Sequence, residues 1–332
     1  MKIIKLLGSN YEFGYKLGLL FSDAIKYRIK KFKINDKLLK KKQKYIYQTK
    51  KLAELYSNYY EELRGIANAS KVSFNEIIML NLLGLLDISR CSSIAIKTKN
   101  NLLIAHNEDG DNFERKNDFA LIKYEKKDFY FYSFFYPGEL LGSTFSWNSY
   151  GLIITTNSIR SKLSKKPKLP RVFLSRALIE AKSIKQAISI IKKIKISGGL
   201  HYFIADSKKI ISVELYQNKF YIKNVKGIEI HTNHYLYEKF RKKTKQSKNS
   251  LTRYKRLKEL ITELKKEENF IDFLNNSTYL KKNILNNILK IMYDRRTKPN
   301  SIYNKKSDKN QTLATFIYLN NEKHVFKNPN FI

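Results

Sequence analysis

The chain has 332 residues, 42% of them hydrophobic, and a formal charge of +36. This length and apolar content can bury a large core, and we expect one compact domain. Basic proteins gain affinity for nucleic acid by releasing counterions from phosphates, but here lysines occur in almost every segment without a recognition motif. We therefore expect no specific nucleic-acid partner. No stretch reaches the roughly 18 apolar residues of a membrane span and no secretory signal is visible, so we expect a cytoplasmic protein without a membrane span.

Helical spacing of apolar residues dominates the first 90 residues. It predicts one helical stretch over residues 8–31 and a second helix over 45–68. Gly14 and Gly18 lie inside the first stretch, where glycine costs stability, and this predicts close packing of the backbone against a neighbour. Ser73 followed by Glu76 predicts a capping box that opens a third helix.

The apolar period changes from helical spacing to two at residue 91. The segments "CSSIAIKT" and "LLIAHNED", separated by "NN", predict a β-hairpin. The patterns that follow predict strands within 119–159, two helices over 171–194 with Ser183 capping the second, strands over 200–233, helices over 250–294 and a hairpin over 311–327. This order predicts an α+β fold with two sheets between helical layers.

Cys91 is the only cysteine of the chain. It has no partner for a disulfide within the chain and no other cysteine with which to share a metal, so it is either a small buried side chain or a nucleophile. If the peptide bond before a cysteine is cut, the new α-amino group has a pKa of about 7.7–8.0 and can accept the thiol proton near neutral pH. A nucleophile of this kind must begin a strand, and Cys91 begins one in the predicted hairpin.

Segments along nearly the whole chain resemble a known family. A helical stretch with spaced glycines is followed by "CSSIAI", "NED", "WNSYGL", "HTNHYL" and "SLTRYKRL". This order resembles the isopenicillin N acyltransferase family of N-terminal-nucleophile hydrolases. The resemblance implies a four-layer αββα sandwich and a precursor that cuts itself before the cysteine. It also implies that the two fragments, the mostly helical residues 1–90 and the catalytic portion 91–332, stay associated in one compact domain.

The resemblance assigns roles to single residues. Cys91 would be the nucleophile both for self-cleavage of the Arg90–Cys91 bond and for acyl transfer. Asp109 would hold the α-ammonium group, orient the thiol or bind a polar substrate group. The side-chain amide of Asn233 would donate to an oxyanion without titrating. In the family, glycine is common where Arg90 stands.

Several other residues are candidates for contacts with substrate. Asn148 and Asn157, in "SWNSYGLIITTNS", could contact substrate or oxyanion. Trp147 could line an acyl pocket, although aromatic residues in strands usually belong to the core. An arginine that the family carries downstream has no secure counterpart in "PNSIYNKKS", which offers Ser301 instead.

We expect no metal and no bound cofactor. His231 and His234 have odd spacing at a strand end, which places them on opposite faces and disfavours joint ligation. His106 and His201 lie in strand patterns and are expected to pack rather than to catalyse. No glycine-rich phosphate loop is present, so acyl-coenzyme A could serve only as a substrate.

The leading hypothesis is a self-processing cysteine acyltransferase or amidohydrolase acting on an N-acyl, peptide-like or thioester small molecule. One alternative is a conjugated-amide hydrolase of the choloylglycine-hydrolase type. Another is a basic binding protein that keeps the fold without catalysis, for which we expect an uncut chain, an unreactive thiol and binding that collapses with salt.

Overall fold

The computed structural model describes residues 1–83, 90–111, 113, 115, 118–160, 168–275, 279–305 and 310–327. The chain forms two compact units. Unit 1 comprises Met1–Asp87, Arg115–Leu152 and Ser161–Gly199, and unit 2 comprises Ile88–Glu114, Ile153–Arg160 and Leu200–Ile332. The predicted division into fragments 1–90 and 91–332 concerns a covalent cut and stays a prediction.

Unit 1 combines seven helices with four strands among its described residues. With elements numbered along the chain, they are β1 Ile3–Leu7, α1 Asn10–Leu20, α2 Ser22–Lys31, α3 Asp36–Glu54, α4 Ser57–Ser70, α5 Phe74–Leu83, β4 Ala120–Lys126, β5 Phe129–Phe135, β6 Phe145–Asn148, α6 Arg171–Ile179 and α7 Ile184–Lys193. The strands are neighbours in the order β1-β4-β5-β6. β1 runs parallel to β4, and the other two pairs are antiparallel.

The glycine spacing of the first helix is explained by its packing on α4. A Cβ atom on Gly14 would lie 1.9 Å from the carbonyl oxygen of Glu62, and one on Gly18 would lie 2.4 Å from that of Ile66. Only glycine permits so close an approach of two backbones. The predicted close packing is confirmed.

Two predicted helix caps are also confirmed. Ser73 Oγ accepts from the backbone N–H of Glu76 at 3.2 Å, and the Glu76 carboxylate accepts from the N–H of Ser73 at 2.7 Å. Ser183 caps α7 by accepting from the N–H of Gln186.

The single helix predicted over 45–68 is wrong: α3 begins after Asn35, whose side chain caps it, and ends at Glu54 before α4 starts. The lysine-rich first turns of α3 hid its beginning. The part of the third predicted helix beyond α5 lies outside the described residues.

Unit 2 contains the predicted hairpins and the remaining helices. Its elements are β2 Ser92–Lys97, β3 Leu102–Asp111, β7 Ile153–Ile159, β8 Gly199–Ala205, β9 Ile210–Tyr216, β10 Lys219–Asn224, β11 Gly227–His231, α8 Glu238–Arg241, α9 Lys248–Leu264, α10 Glu268–Asn275, α11 Lys281–Met292, β12 Asn310–Leu319 and β13 Glu322–Lys327. Strands β7-β8-β9-β10 are neighbours in that order, and β11-β2-β3-β12-β13 form a five-stranded sheet. The fold is mixed α and β, and the four-layer arrangement stays a prediction.

The five-stranded sheet buries one face against helices. Its apolar side chains, Ile94, Ile96, Leu103, Ala105 and Ile317, pack with side chains of α9, α10 and α11 in one cluster. In the hairpin, Ser93 lies opposite His106 and Ser92 opposite Asn107. Because side chains alternate along a strand, Ser92 shares the helix-covered face with Ile94, whereas Ser93 and His106 lie on the other face. This register sets the surroundings of Cys91.

No helix of the described part of the chain combines the length and apolar character that crossing a membrane requires.

Candidate active site

Cys91 lies immediately before β2 and is 1% exposed in the continuous chain. Its thiol donates a hydrogen bond to Oε2 of Glu108 at 3.2 Å. The backbone N–H of Asp109 donates to the sulfur. Burial raises the pKa of the thiol well above its ordinary value, and the negative charges of Glu108 and Asp109 raise it further. In the uncut chain the sulfur is therefore a protonated thiol at neutral pH.

Arg253 connects Cys91 to Asn233. This arginine of α9 is 1% exposed, and its Nη1 donates to the carbonyl oxygen of Cys91 at 2.5 Å and to Ser92 Oγ at 2.9 Å. Nη2 donates to Oδ1 of Asn233 at 2.7 Å, and Nε donates to Oδ1 of Asn249 at 3.0 Å. Burial lowers the pKa of Arg253 to about 10, which still leaves it charged at neutral pH. One rigid guanidinium fork thus positions the residue before β2 and the predicted oxyanion donor together.

Asn233 follows β11 and is buried. While its oxygen accepts from Arg253, its Nδ2 donates to the carbonyl oxygen of Ser158 at 2.8 Å. The backbone N–H of Asn233 donates to Ser250 Oγ, on the same helix as Arg253. A side-chain amide nitrogen carries two hydrogens, so one donor remains after the bond to Ser158. The amide is held from both ends in one orientation.

Asp109 is anchored by two neutral donors. Its Oδ1 accepts from Thr312 Oγ1 at 2.6 Å and its Oδ2 accepts from Asn304 Nδ2 at 2.9 Å. Burial raises the pKa of Asp109 to about 7, against the lowering effects of the Thr312 bond and of the charge on Arg253. The carboxyl group therefore changes charge close to neutral pH, next to the sulfur of Cys91.

Asp109 should make folding stability depend on pH. Its pKa is about 7 in the folded chain and about 3.9 in an unfolded one. Between these values the folded chain holds a proton that the unfolded chain has lost, so stability falls as pH rises through this window. The free energy of unfolding should therefore fall between pH 4 and pH 8 in the chain with Asp109. Relative to Asp109→Asn, this fall should be on the order of 4 kcal/mol.

Urea unfolding of the two chains at several pH values measures this difference. Both should carry Cys91→Ala, so that the predicted self-cleavage cannot complicate the equilibrium. A stability difference that does not change with pH would contradict a raised pKa at Asp109.

A row of buried polar side chains extends from Cys91 along the face opposite the helices. Oε2 of Glu108, which accepts from the thiol, also contacts His106 Nε2 at 3.1 Å. His106 Nδ1 contacts Ser93 Oγ at 2.8 Å, and Ser93 donates to Asn157 Oδ1 of β7 at 2.7 Å. Among the described residues, Nδ2 of Asn157 has no hydrogen-bond acceptor. The contact of Asn157 with substrate or oxyanion stays a prediction.

Three atoms in this row that can act as metal ligands, one each from Cys91, His106 and Glu108, lie within 4.8 Å of one another. A divalent ion could bind to atoms at this spacing, but the hydrogen bonds among thiol, carboxylate and imidazole also explain why they lie so close. The expectation that the protein uses no metal stays a prediction. His231 and His234 both contact Thr232, His231 through its carbonyl oxygen and His234 through its hydroxyl. His231 also contacts Glu214, and His234 also contacts Ser250.

Asn148, in unit 1, has every hydrogen-bonding position of its amide in use. Nδ2 donates to the carbonyl oxygens of Ile179 and Ala181, and Oδ1 accepts from the backbone N–H groups of Tyr150 and Leu152. These bonds give the residue a structural role in joining β6 to the end of α6. Its contact with substrate stays a prediction.

Trp147 and Ser301 are also explained by local contacts. Trp147 stacks on Tyr132 of the neighbouring strand, with ring centroids 4.9 Å apart. Ser301 is buried and donates to the carbonyl oxygen of Arg295. Its own carbonyl accepts from Asn304 Nδ2, which also donates to Asp109. Ser301 thus supports the partner of a predicted site residue, and contact with substrate stays a prediction for both residues.

The sequence reading missed Glu108, His106 and Arg253. His106 and Glu108 are two positions apart on β3, the spacing that puts both side chains on one face of the sheet. Arg253 lies on the buried face of α9 with Ser250 and Leu257. A charged residue at an apolar position of an amphipathic helix was the available signal. His106 does pack in the interior, as expected, but it does so within this polar row.

Comparison with known proteins relates the chain to a family and to a curated protein. The family described as Acyl-coenzyme A:6-aminopenicillanic acid acyl-transferase matches residues 96–326, a range that contains Asp109, Asn233 and Arg253. The protein named Beta-alanyl-dopamine/carcinine hydrolase, from Drosophila melanogaster, is 29% identical over 219 residues, covering 56% of this chain and 55% of the relative. The chain thus spans about half the length of this relative.

Proposed function

The chain belongs to the acyl-coenzyme A:6-aminopenicillanic acid acyltransferase family, and from this premise we propose that it is a self-processing cysteine amidohydrolase or acyltransferase. The resemblance seen in the sequence is thereby confirmed. The observation that carries the proposal is the fork of Arg253, which holds the carbonyl of Cys91 and the amide of Asn233 in one buried cluster. Nucleophile and oxyanion donor must be held together in this way for acyl transfer.

The first step of the proposed function is cleavage of the chain. Sγ of Cys91 attacks the carbonyl carbon of Arg90, the C–N bond breaks, and the nitrogen of Cys91 takes up a proton and becomes the α-amino group. Water then hydrolyses the resulting thioester. A thiol that is 1% exposed cannot meet an external substrate until the chain before it moves, and cleavage releases that chain.

The second step is acyl transfer by the cut protein. The α-amino group takes the thiol proton, and sulfur attacks the carbonyl carbon of an N-acyl substrate. The remaining N–H of Asn233, with backbone N–H groups, stabilises the oxyanion. The amine leaves with the proton, and water or a second amine removes the acyl group from sulfur.

The proposal also includes the layered fold, the cellular location and the class of substrate. Fragments 1–90 and 91–332 stay associated in a four-layer αββα sandwich, and the protein works in the cytoplasm on a small acyl substrate. No bound cofactor takes part, and acyl-coenzyme A would enter only as an acyl donor.

N-β-alanyl-dopamine, the amide in the relative's name, is the first probe of this function. Wild type is expected to release β-alanine and dopamine, and rapid quenching should trap a β-alanyl group on the peptide that begins with Cys91. Cys91→Ala is expected to lose at least about a thousandfold in rate. Added hydroxylamine should divert the acyl group to a hydroxamate, and the ratio of hydroxamate to β-alanine measures transfer against hydrolysis. Unchanged hydrolysis by Cys91→Ala would overturn the proposal.

A further inference from the structure

The first cleavage lacks the base that serves the cut protein. Before the Arg90–Cys91 bond breaks, the nitrogen of Cys91 is an amide and cannot accept a proton. The thiol is nevertheless protonated at neutral pH, because burial and neighbouring carboxylates raise its pKa. Some other group must take the thiol proton when sulfur attacks the carbonyl carbon.

Glu108 has the required position. Its Oε2 accepts the hydrogen bond of the Cys91 thiol at 3.2 Å, and its side chain is buried. His106 Nε2 contacts the same oxygen at 3.1 Å, and its other ring nitrogen contacts Ser93. Contacts from two sides hold this oxygen against the sulfur.

The other charged groups around the sulfur are less suitable. Both carboxylate oxygens of Asp109 accept from Thr312 and Asn304, and its contact with the sulfur is through its backbone N–H. Arg253 is a donor only and holds the carbonyl of Cys91. Among the described residues that face the sulfur, Glu108 is the carboxylate whose oxygen is hydrogen-bonded to the thiol.

We propose that Glu108 is the general base for cleavage of the Arg90–Cys91 bond and that His106 is its positioning residue. The inference rests on the proposed function. Glu108 takes the proton as the S–C bond forms, and it returns the proton to the nitrogen of Cys91 as the C–N bond breaks. This transfer returns Glu108 to its starting state, and water then hydrolyses the thioester between Arg90 and Cys91 to give the Arg90 carboxylate and the free thiol.

Glu108→Gln separates this role from a purely electrostatic one by the sign of its effect. The charge of Glu108 raises the pKa of the thiol, so removing that charge lowers the pKa and increases the thiolate fraction. If Glu108 acted only through its charge, the variant would cleave faster than wild type. A general base contributes about 10²–10⁴-fold, so we expect cleavage at pH 7 to be at least a hundredfold slower.

The experiment follows cleavage of full-length chains made by cell-free synthesis, with a chelator present, from pH 6 to pH 10. In Glu108→Gln the remaining rate should climb with pH and approach that of wild type, because hydroxide then removes the thiol proton. Glu108→Asp, which keeps a carboxylate, should recover part of the rate at pH 7. Glu214→Gln is the matched control, since Glu214 is also a buried carboxylate paired with a histidine but contacts His231 instead; it should cleave within about threefold of wild type.

The outcomes are distinguishable. If wild type cuts and Glu108→Gln cuts equally fast or faster at pH 7, Glu108 is not the base. A loss by the same factor at every pH would assign Glu108 a structural role and also overturn the inference. If wild type itself remains uncut at every pH, both this inference and the proposed function fail.

Discussion

Cys91→Ala is expected to remain one uncut chain, whereas wild type is expected to yield residues 1–90 and a second fragment that begins Cys-Ser-Ser. The reason is chemical: the proposed cleavage passes through a thioester on the sulfur of Cys91, and alanine has no nucleophile. The sulfur is the only thiol of the chain, so no second cysteine can replace it. The expected difference is complete cleavage against none.

Intact mass and N-terminal sequencing of both proteins measure this result. Cys91→Ser is an informative companion, because a hydroxyl can attack the same carbonyl, and slow cleavage at the same bond would assign the step to residue 91. Uncut wild type with a thiol that resists alkylation would favour the basic binding protein instead. Cleavage of Cys91→Ala at the same bond would rule out the cysteine as the cutting group.

Arg253→Lys is expected to reduce hydrolysis of N-β-alanyl-dopamine by about 10²–10³-fold, the loss typical of a misplaced oxyanion donor. Lysine keeps the charge but lacks the planar fork that reaches Cys91, Ser92 and Asn233 together. The Asn233 amide would then lose the contact that fixes its oxygen. Since the oxyanion is absent from the bound substrate and develops on the way to the tetrahedral intermediate, we expect kcat to fall more than KM rises.

Arg256→Lys is the matched control for this change. Arg256 lies on the same helix and is 8% exposed, but it pairs with Asp294 and Glu259, away from Cys91. We expect its activity to stay within about threefold of wild type. Steady-state kinetics and thermal unfolding of both variants are the measurements. Equal losses of activity and of stability in the two would show that Arg253 only supports the fold.

Local sequence signals predicted the elements that carry the site. The change of period at Cys91 predicted the hairpin, because alternation and the "NN" turn are properties of neighbouring residues. Residue type and spacing along the chain likewise predicted the capping box at Ser73 and the close packing of the glycines that face α4. Cys91, Asp109 and Asn233 were named from motifs, and the structure places all three around Arg253 in unit 2.

The connections among these residues depend on how distant segments of the chain pack together. The bonds from Arg253 to Cys91 and from Asn304 to Asp109 join positions more than 150 residues apart. No local period encodes such pairs. Asn148 shows the same dependence, since its motif made it a candidate for contact with substrate but did not predict the four backbone groups that bind its amide. Chemical type and strand phase are local properties that sequence determines, whereas the partner of a buried polar group depends on which distant segments pack against it.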